Sequence, residues 1–146
     1  MNPIVALVVI AGLVVVATLL GALWRVRTGR IRQASGPRVT PEALGPGITL
    51  GSDATIVQFS TEYCGPCRVA ERLLTTVADS RPGVDYIDVD LGRRPHLASE
   101  FGVVQTPTVL LLDAAGGIRS RIGGVPRAAE VAQRLDQIVK ENNVVR

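Results

Sequence analysis

Apolar residues run from Ile4 to Trp24 without a single charge. After that the chain breaks into short periodic blocks. The uncharged run is about 21 residues, against the roughly 20 that an α-helix needs to cross a bilayer core. Summed translocon values favour its insertion by about 5 kcal/mol. The run lacks a basic leader, exceeds the length of a signal core and ends in Leu23-Trp24-Arg25 without small residues for cleavage, so it is expected to stay as an anchor. Trp24 suits the headgroup layer.

Gly29, Gly36, Pro37, Pro41, Gly45, Pro46, Gly47 and Gly51 punctuate the stretch from Thr28 to Ser52, and no long helix or strand fits between them. A flexible coil of that length spans roughly 25 to 30 Å. Ile48 to Leu50 is the one piece that suits a short edge strand. The chain therefore divides into a transmembrane anchor over 1–27, a flexible linker over 28–52 and a globular domain over 53–146.

The globular part opens with a β-branched run, Ala54 to Phe59, of buried-strand type. Val69, Ala70, Leu73, Leu74 and Val77 then recur at helical spacing, with Arg68, Glu71, Arg72 and Thr75 on the other face, up to a stop at Arg81-Pro82-Gly83. Val84 to Val89 reads as a second strand. Pro95 to Phe101 reads as a short helix begun by its proline, and Thr108 to Leu112 as a third strand. The turn Ala114 to Gly117 is too short for a crossover, so Ile118 to Ile122 pairs antiparallel with that strand. Ala128, Val131, Ala132, Leu135, Ile138 and Val139 form the apolar stripe of a last helix from Arg127 to about Asn142. This order predicts an α/β fold: a mixed sheet flanked by helices on both faces, preceded by one N-terminal transmembrane helix.

The net charge of +3 changes the picture only at the membrane edge. From Asp53 onward acids and bases balance, and the excess lies in Arg25, Arg27, Arg30, Arg32 and Arg38. The folded domain carries no excess of basic residues and few aromatics to stack on bases, so no nucleic-acid partner is expected. Arginines after the helix and none before it place the domain on the cytoplasmic side of a single-pass membrane protein. Export of the domain despite those arginines stays open as the alternative.

Two cysteines stand three positions apart in Tyr63-Cys64-Gly65-Pro66-Cys67, between the first strand and the first long helix. Unpaired N–H groups at a helix start favour a thiolate, so Cys64 is expected to have a lowered pKa and to act as nucleophile. Cys67, one turn further in, is placed to resolve the mixed disulfide. A structural staple over so short a loop gains only about 2 kcal/mol. A zinc site needs about four ligands, and His96 is the only histidine, so no metal is expected. Two inert buried thiols remain as the bland alternative.

This constellation resembles the thioredoxin family over Ala54 to Val139, and Cys64-Gly65-Pro66-Cys67 is identical to that family's redox motif. Thr106-Pro107-Thr108 resembles the family's substrate-binding loop. The resemblance implies a cis bond at Pro107, a Thr106 backbone that pairs with substrate polypeptide, and protection of the cysteines from metal. A loop breaker before a strand is the plain reading of Pro107. Asp88-Val89-Asp90 and Gly123-Gly124 resemble further family features. Gln58 stands where the family keeps a buried Asp, Ser60 replaces a Trp, Tyr86 replaces a Lys, and the family's first helix is not evident.

The resemblance implies a thiol:disulfide oxidoreductase that reduces protein disulfides through the redox-active pair Cys64 and Cys67. It needs no cofactor and takes electrons from an external reductase. Its partners are protein thiols and disulfides, and residues 4–24 attach it to the membrane. An envelope enzyme on the outer side, or a binding module without turnover, are the alternatives. Because Gln58 cannot accept a proton, Gln58→Asp is expected to speed turnover and raise the Cys64 pKa while costing some stability, with Glu62 or water handling the proton in the natural chain.

Overall fold

The computed structural model describes residues 2–145, the side chains of 25–27 and 145 excepted. Arg25 and Arg27, counted above in the basic flank, have side chains outside the described residues. The helix α1, Pro3–Arg27, starts at Asn2, whose side chain accepts the Ile4 N–H. Its segment Pro3–Trp24 is long and apolar enough to cross a membrane, and none of it is buried against protein.

After β1, Ile31–Gln33, and α2, Pro41–Leu44, come the predicted elements in the predicted order. These are β2 (Ala54–Ser60), α3 (Gly65–Asp79), β3 (Val84–Asp90), α4 (His96–Glu100), β4 (Thr108–Asp113), β5 (Ile118–Gly123) and α5 (Ala128–Val145). The sheet has five strands in the order β1-β5-β4-β2-β3. Only β2 and β3 run parallel, because α3 carries the chain back between them, while β4 and β5 form the expected hairpin.

Side chains alternate across the sheet with period two. Ala54, Ile56, Val109, Leu111 and Ile122 meet Ala70 and Leu74 of α3 and Val131, Leu135 and Ile138 of α5 on one face. Val57, Phe59, Leu110 and Leu112 meet Leu97 of α4, Phe101, Val39 and Leu44 on the other. Phe59 and Phe101 stack with ring centres 5.3 Å apart. The Asn142 side chain donates to the Asp53 carbonyl at 2.8 Å and fastens α5 to the start of β2.

The segment 28–52 differs from its reading as a flexible linker. Ile31, Arg32 and Gln33 pair with Ile122, Arg121 and Ser120, so β1 is the edge strand that the sequence assigned to Ile48–Leu50. Thr40 caps α2, its side chain accepting the Ala43 N–H, and Pro41 starts the turn. Leu44 is 0 % exposed and Val39 2 %, and Arg94 donates to the Leu44 carbonyl. The glycines and prolines set the corners of a wrapped segment. Burial of Val39 and Leu44 supplies the energy that local propensity lacks.

Candidate active site

β2 ends at Ser60, and the chain turns through Thr61 to Tyr63 into α3. The Cys64 N–H donates to the Thr61 carbonyl at 3.1 Å. Cys64 itself is the N-cap in extended conformation, with Pro66 in the first turn, where a missing N–H costs nothing. The Cys67 N–H points at Cys64 Sγ, 3.2 Å away. An N–H aimed at the sulfur stabilises negative charge there once the pair is reduced.

Cys64 and Cys67 are joined in a disulfide, with Cα atoms 5.2 Å apart. Their exposures differ. Cys64 is partly open to solvent, while Cys67 is 3 % exposed. Tyr63, just before the pair, is 92 % exposed.

An open cleft of about 470 Å³ lies beside the pair, lined by Gln58, Ser60, Cys64, Cys67, Glu71 and Asp88 among others. Gln58 is 1 % exposed. Its Nε2 donates to the Cys67 carbonyl at 3.1 Å and to Asp88 Oδ1 at 3.3 Å. Both partners are acceptors, which fixes the amide orientation and leaves Oε1 without a protein partner. Ser60 Oγ donates to the other Asp88 oxygen at 2.8 Å.

Asp88 stands on the edge strand β3 at the mouth of the cleft, with its outer surface open and its carboxyl turned inward. Desolvation pushes its pKa above the ordinary 3.8, the negative charges of Glu71 and Asp90 add to this, and the hydrogen bonds from Ser60 and Gln58 oppose it. Tyr86, two residues earlier on the same face, is pushed up by burial first and then by Asp88 and Glu71. Its hydroxyl is buried without a protein partner.

The Thr106–Pro107 bond is cis. Thr108 pairs with Phe59 on one side and Gly123 on the other, so Pro107 sits at the same end of the sheet as the cysteines, flanking β2 on the side away from β3. The Gly124 N–H holds the Pro107 carbonyl at 2.7 Å. Thr106 and Pro107 thus share the redox end but not the cleft that Asp88 lines. His96 lies exposed on α4. No group of three or more His, Cys, Asp or Glu able to hold a metal occurs among the described residues.

Asp88 is the site residue whose part the sequence does not assign. The Asp-Val-Asp strand end marks it as acidic, but its contact with Gln58 depends on the parallel register, which pairs 58 with 88.

The thioredoxin family model matches residues 39–137. Thioredoxin H2 of Arabidopsis thaliana is 37 % identical over 68 residues, covering 47 % of this chain and 51 % of that protein. Thioredoxin C-3 of Corynebacterium nephridii is 30 % identical, with 59 % of each chain covered. The chain thus spans only about half to three fifths of these two relatives. For the thioredoxin of Mycolicibacterium smegmatis, 27 % identical, the match covers 68 % of this chain and 92 % of that one. Among solved structures, chloroplastic thioredoxin z superposes with a TM-score of 0.54 at 27 % identity, covering 60 % of this chain and 79 % of that one. The thioredoxin of Trypanosoma brucei brucei gives the same TM-score and identity, with 62 % and 78 % covered. With a matching family model over most of its length and a Cys-Gly-Pro-Cys pair at the head of α3, this chain belongs to the thioredoxin family.

Proposed function

We propose that the chain is a thiol:disulfide oxidoreductase that reduces disulfides in proteins and is anchored in the membrane by residues 4–24, with its domain on the cytoplasmic side. One observation carries the chemistry: a partly exposed Cys64 at a helix N-terminus, bonded to a buried Cys67 one turn inward. The Cys64 thiolate attacks one sulfur of a client disulfide, forming a mixed disulfide and releasing the other client sulfur as a thiol. Cys67, deprotonated, then attacks Cys64 Sγ, releases the second client thiol and closes the Cys64–Cys67 bond. The client gains two electrons and the pair loses two. An external dithiol reductase returns them, so no bound cofactor is required.

Thr106 and the cis Pro107 form the client-binding edge, where an extended polypeptide adds to the exposed backbone. The arginine flank, including the exposed Arg30 and Arg32, supports the cytoplasmic side.

Insulin reduction with dithiothreitol tests the chemistry. The full chain in detergent should accelerate it, and a Cys64→Ser chain should not; equal rates for the two would discard the enzyme. A membrane-impermeant maleimide tests the side. Cys64 should be protected in intact, reductant-treated cells and labelled after lysis, and labelling before lysis would move the domain outside.

A further inference from the structure

The sheet has two ends, and the chain enters it at the one that holds the redox pair. β2 ends four residues before Cys64, β4 starts opposite Phe59, and β5 ends at Gly123. Ile31 pairs with Ile122, so the residues joining α1 to β1 lie at that same end. That junction, Thr28 to Arg30, reaches no more than about 10 Å even when extended.

The junction is also pinned. The Gly29 N–H donates to the Gly123 carbonyl at 2.7 Å, and the neighbouring Gly124 N–H holds the Pro107 carbonyl. Gly29 adopts φ +80, and a Cβ there would come within 2.5 Å of the Val125 carbonyl oxygen, so glycine is required at this close approach. Trp24, Arg30, Arg32, Gln105 and Arg121 line a groove of about 380 Å³ that leads from the end of α1 to Thr108.

The exposed apolar side chains agree with this arrangement. Outside α1, the large ones among the described residues are Tyr63, Val69, Val104, Val125 and Val144. All but Val144 flank the redox pair, the cis-proline loop or the junction, whereas scattered single residues would carry no such bias. From β1 to β2 is three strand steps, roughly 15 Å. The pair therefore lies at the same end of the sheet as the junction with α1, displaced sideways from it by those three strand steps.

We propose that the redox end of the domain faces the bilayer and that the clients are disulfides in the membrane-flanking segments of integral membrane proteins. This rests on the anchored oxidoreductase reading above. Arg30, Arg32 and Arg121 meet the headgroup layer, and Tyr63 and Val104 meet the client segment. A protein disulfide approaching from the bulk would find this end shielded by the membrane.

The test uses the full chain in vesicles containing a nitroxide-headgroup lipid. A fluorophore is placed either on Cys64 of a Cys67→Ser chain or on Ala115→Cys of a chain lacking both native cysteines. Ala115 follows β4 at the opposite end of the sheet, roughly 20 Å away. Cys64 should be quenched several-fold more strongly than position 115, and equal or reversed quenching overturns the proposal. This readout needs no turnover, so it stands or falls apart from the enzymatic reading. A chain that does not float with the vesicles refutes the anchor and this inference together.

The client is probed with a single-span peptide bearing a disulfide either at the bilayer edge or about 25 residues of coil beyond it. The near disulfide should be reduced about tenfold faster, and a flexible insert of about 20 residues between Arg27 and Thr28 should abolish the preference. Equal rates without the insert, while the same chain in detergent still reduces insulin, refute the geometry and leave the chemistry intact.

Discussion

Gln58 and Asp88 face each other across the parallel pair of β2 and β3, joined by a 3.3 Å hydrogen bond from amide to carboxylate. The same amide nitrogen holds the Cys67 carbonyl. On sequence alone Gln58→Asp is expected to speed turnover. It is also expected to cost stability, and with Asp88 opposite it sets two carboxylates side by side and removes the donor from the Cys67 carbonyl. We expect Gln58→Asp to cost about 1 to 3 kcal/mol at pH 7 and less at pH 4, where the carboxylates share protons. The exchange Gln58→Asp with Asp88→Asn should recover most of the loss. Thermal unfolding at the two pH values checks this, and a Gln58→Asp chain as stable as the natural one would show that the two groups do not interact.

Asp88 is also the carboxylate held against Gln58 in the cleft that contains Cys67. The groups that act on it are Ser60 and Gln58 of β2, Glu71 of α3 and Asp90 and Tyr86 of β3, while Arg68 and Arg93 line the same cleft, Arg93 paired with Asp90. A carboxyl raised above 3.8 accepts a proton at near-neutral pH more readily than an ordinary one. Resolution of the mixed disulfide by Cys67 should therefore speed up as pH rises through the Asp88 titration. Asp88→Asn should remove that limb and slow resolution by up to about 100-fold at pH 7, as read by stopped-flow over pH 4 to 9. An unchanged pH profile would leave water or Glu62 as acceptor.

The raised Asp88 pKa has a stability consequence of opposite sign to its use in turnover. Because the folded state disfavours the charged form, the carboxyl's favourable contribution is complete below 3.8 and is lost as pH rises through the folded value. Asp88→Asn should thus stabilise at pH 7 and lose that advantage at pH 3, with the open mouth of the cleft keeping the effect small. Calorimetry at the two pH values reads the difference.

Leu44 separates a wrapped segment from a tether. If 28–52 were a loose tether, Leu44→Ala would cost nothing; fully buried against Phe59, Leu97 and Phe101, it should cost about 2 to 5 kcal/mol. Urea unfolding of the full chain in detergent measures it.

The roles of the cysteines predict different traps. Cys67→Ser leaves Cys64 free to attack but blocks release, so clients should accumulate as mixed disulfides, whereas Cys64→Ser should trap none. Non-reducing gels with subsequent identification of the partners decide this, and equal trapping would reverse or erase the assignment.

The core strands and α3 were legible because their apolar positions repeat with the period of their own structure. β2 and β4 read as continuous apolar runs and α3 and α5 as stripes, and each lies within a few residues of its expected bounds. The cysteine pair was legible for the same local reason, since motif, strand and helix are contiguous. β1 and α2 were not, because Ile31 and Leu44 are single apolar anchors among glycines, prolines and charges. Their burial depends on Ile122 and Phe101, far along the chain. Asp88 escaped for a related reason. Its neighbour Gln58 is thirty positions away, and only the strand register brings them together.

The edge position of β1 has a consequence for how the molecule is made. Ile31 emerges from the ribosome soon after α1, yet its partner Ile122 lies 91 positions later (122 minus 31). At synthesis rates of roughly 5 to 20 residues per second, β1 waits on the order of 5 to 20 seconds for a strand to pair with. Until then, on the anchored reading proposed above, the nascent domain hangs from the bilayer by an unpaired segment, and its other strands can form before β1 is locked to them. Docking of β1 on β5 is thus the late, long-range step of assembly. If the redox end faces the bilayer as proposed, it is also the step that first aims the pair there, and a chain stalled before Gly123 would lack that aim.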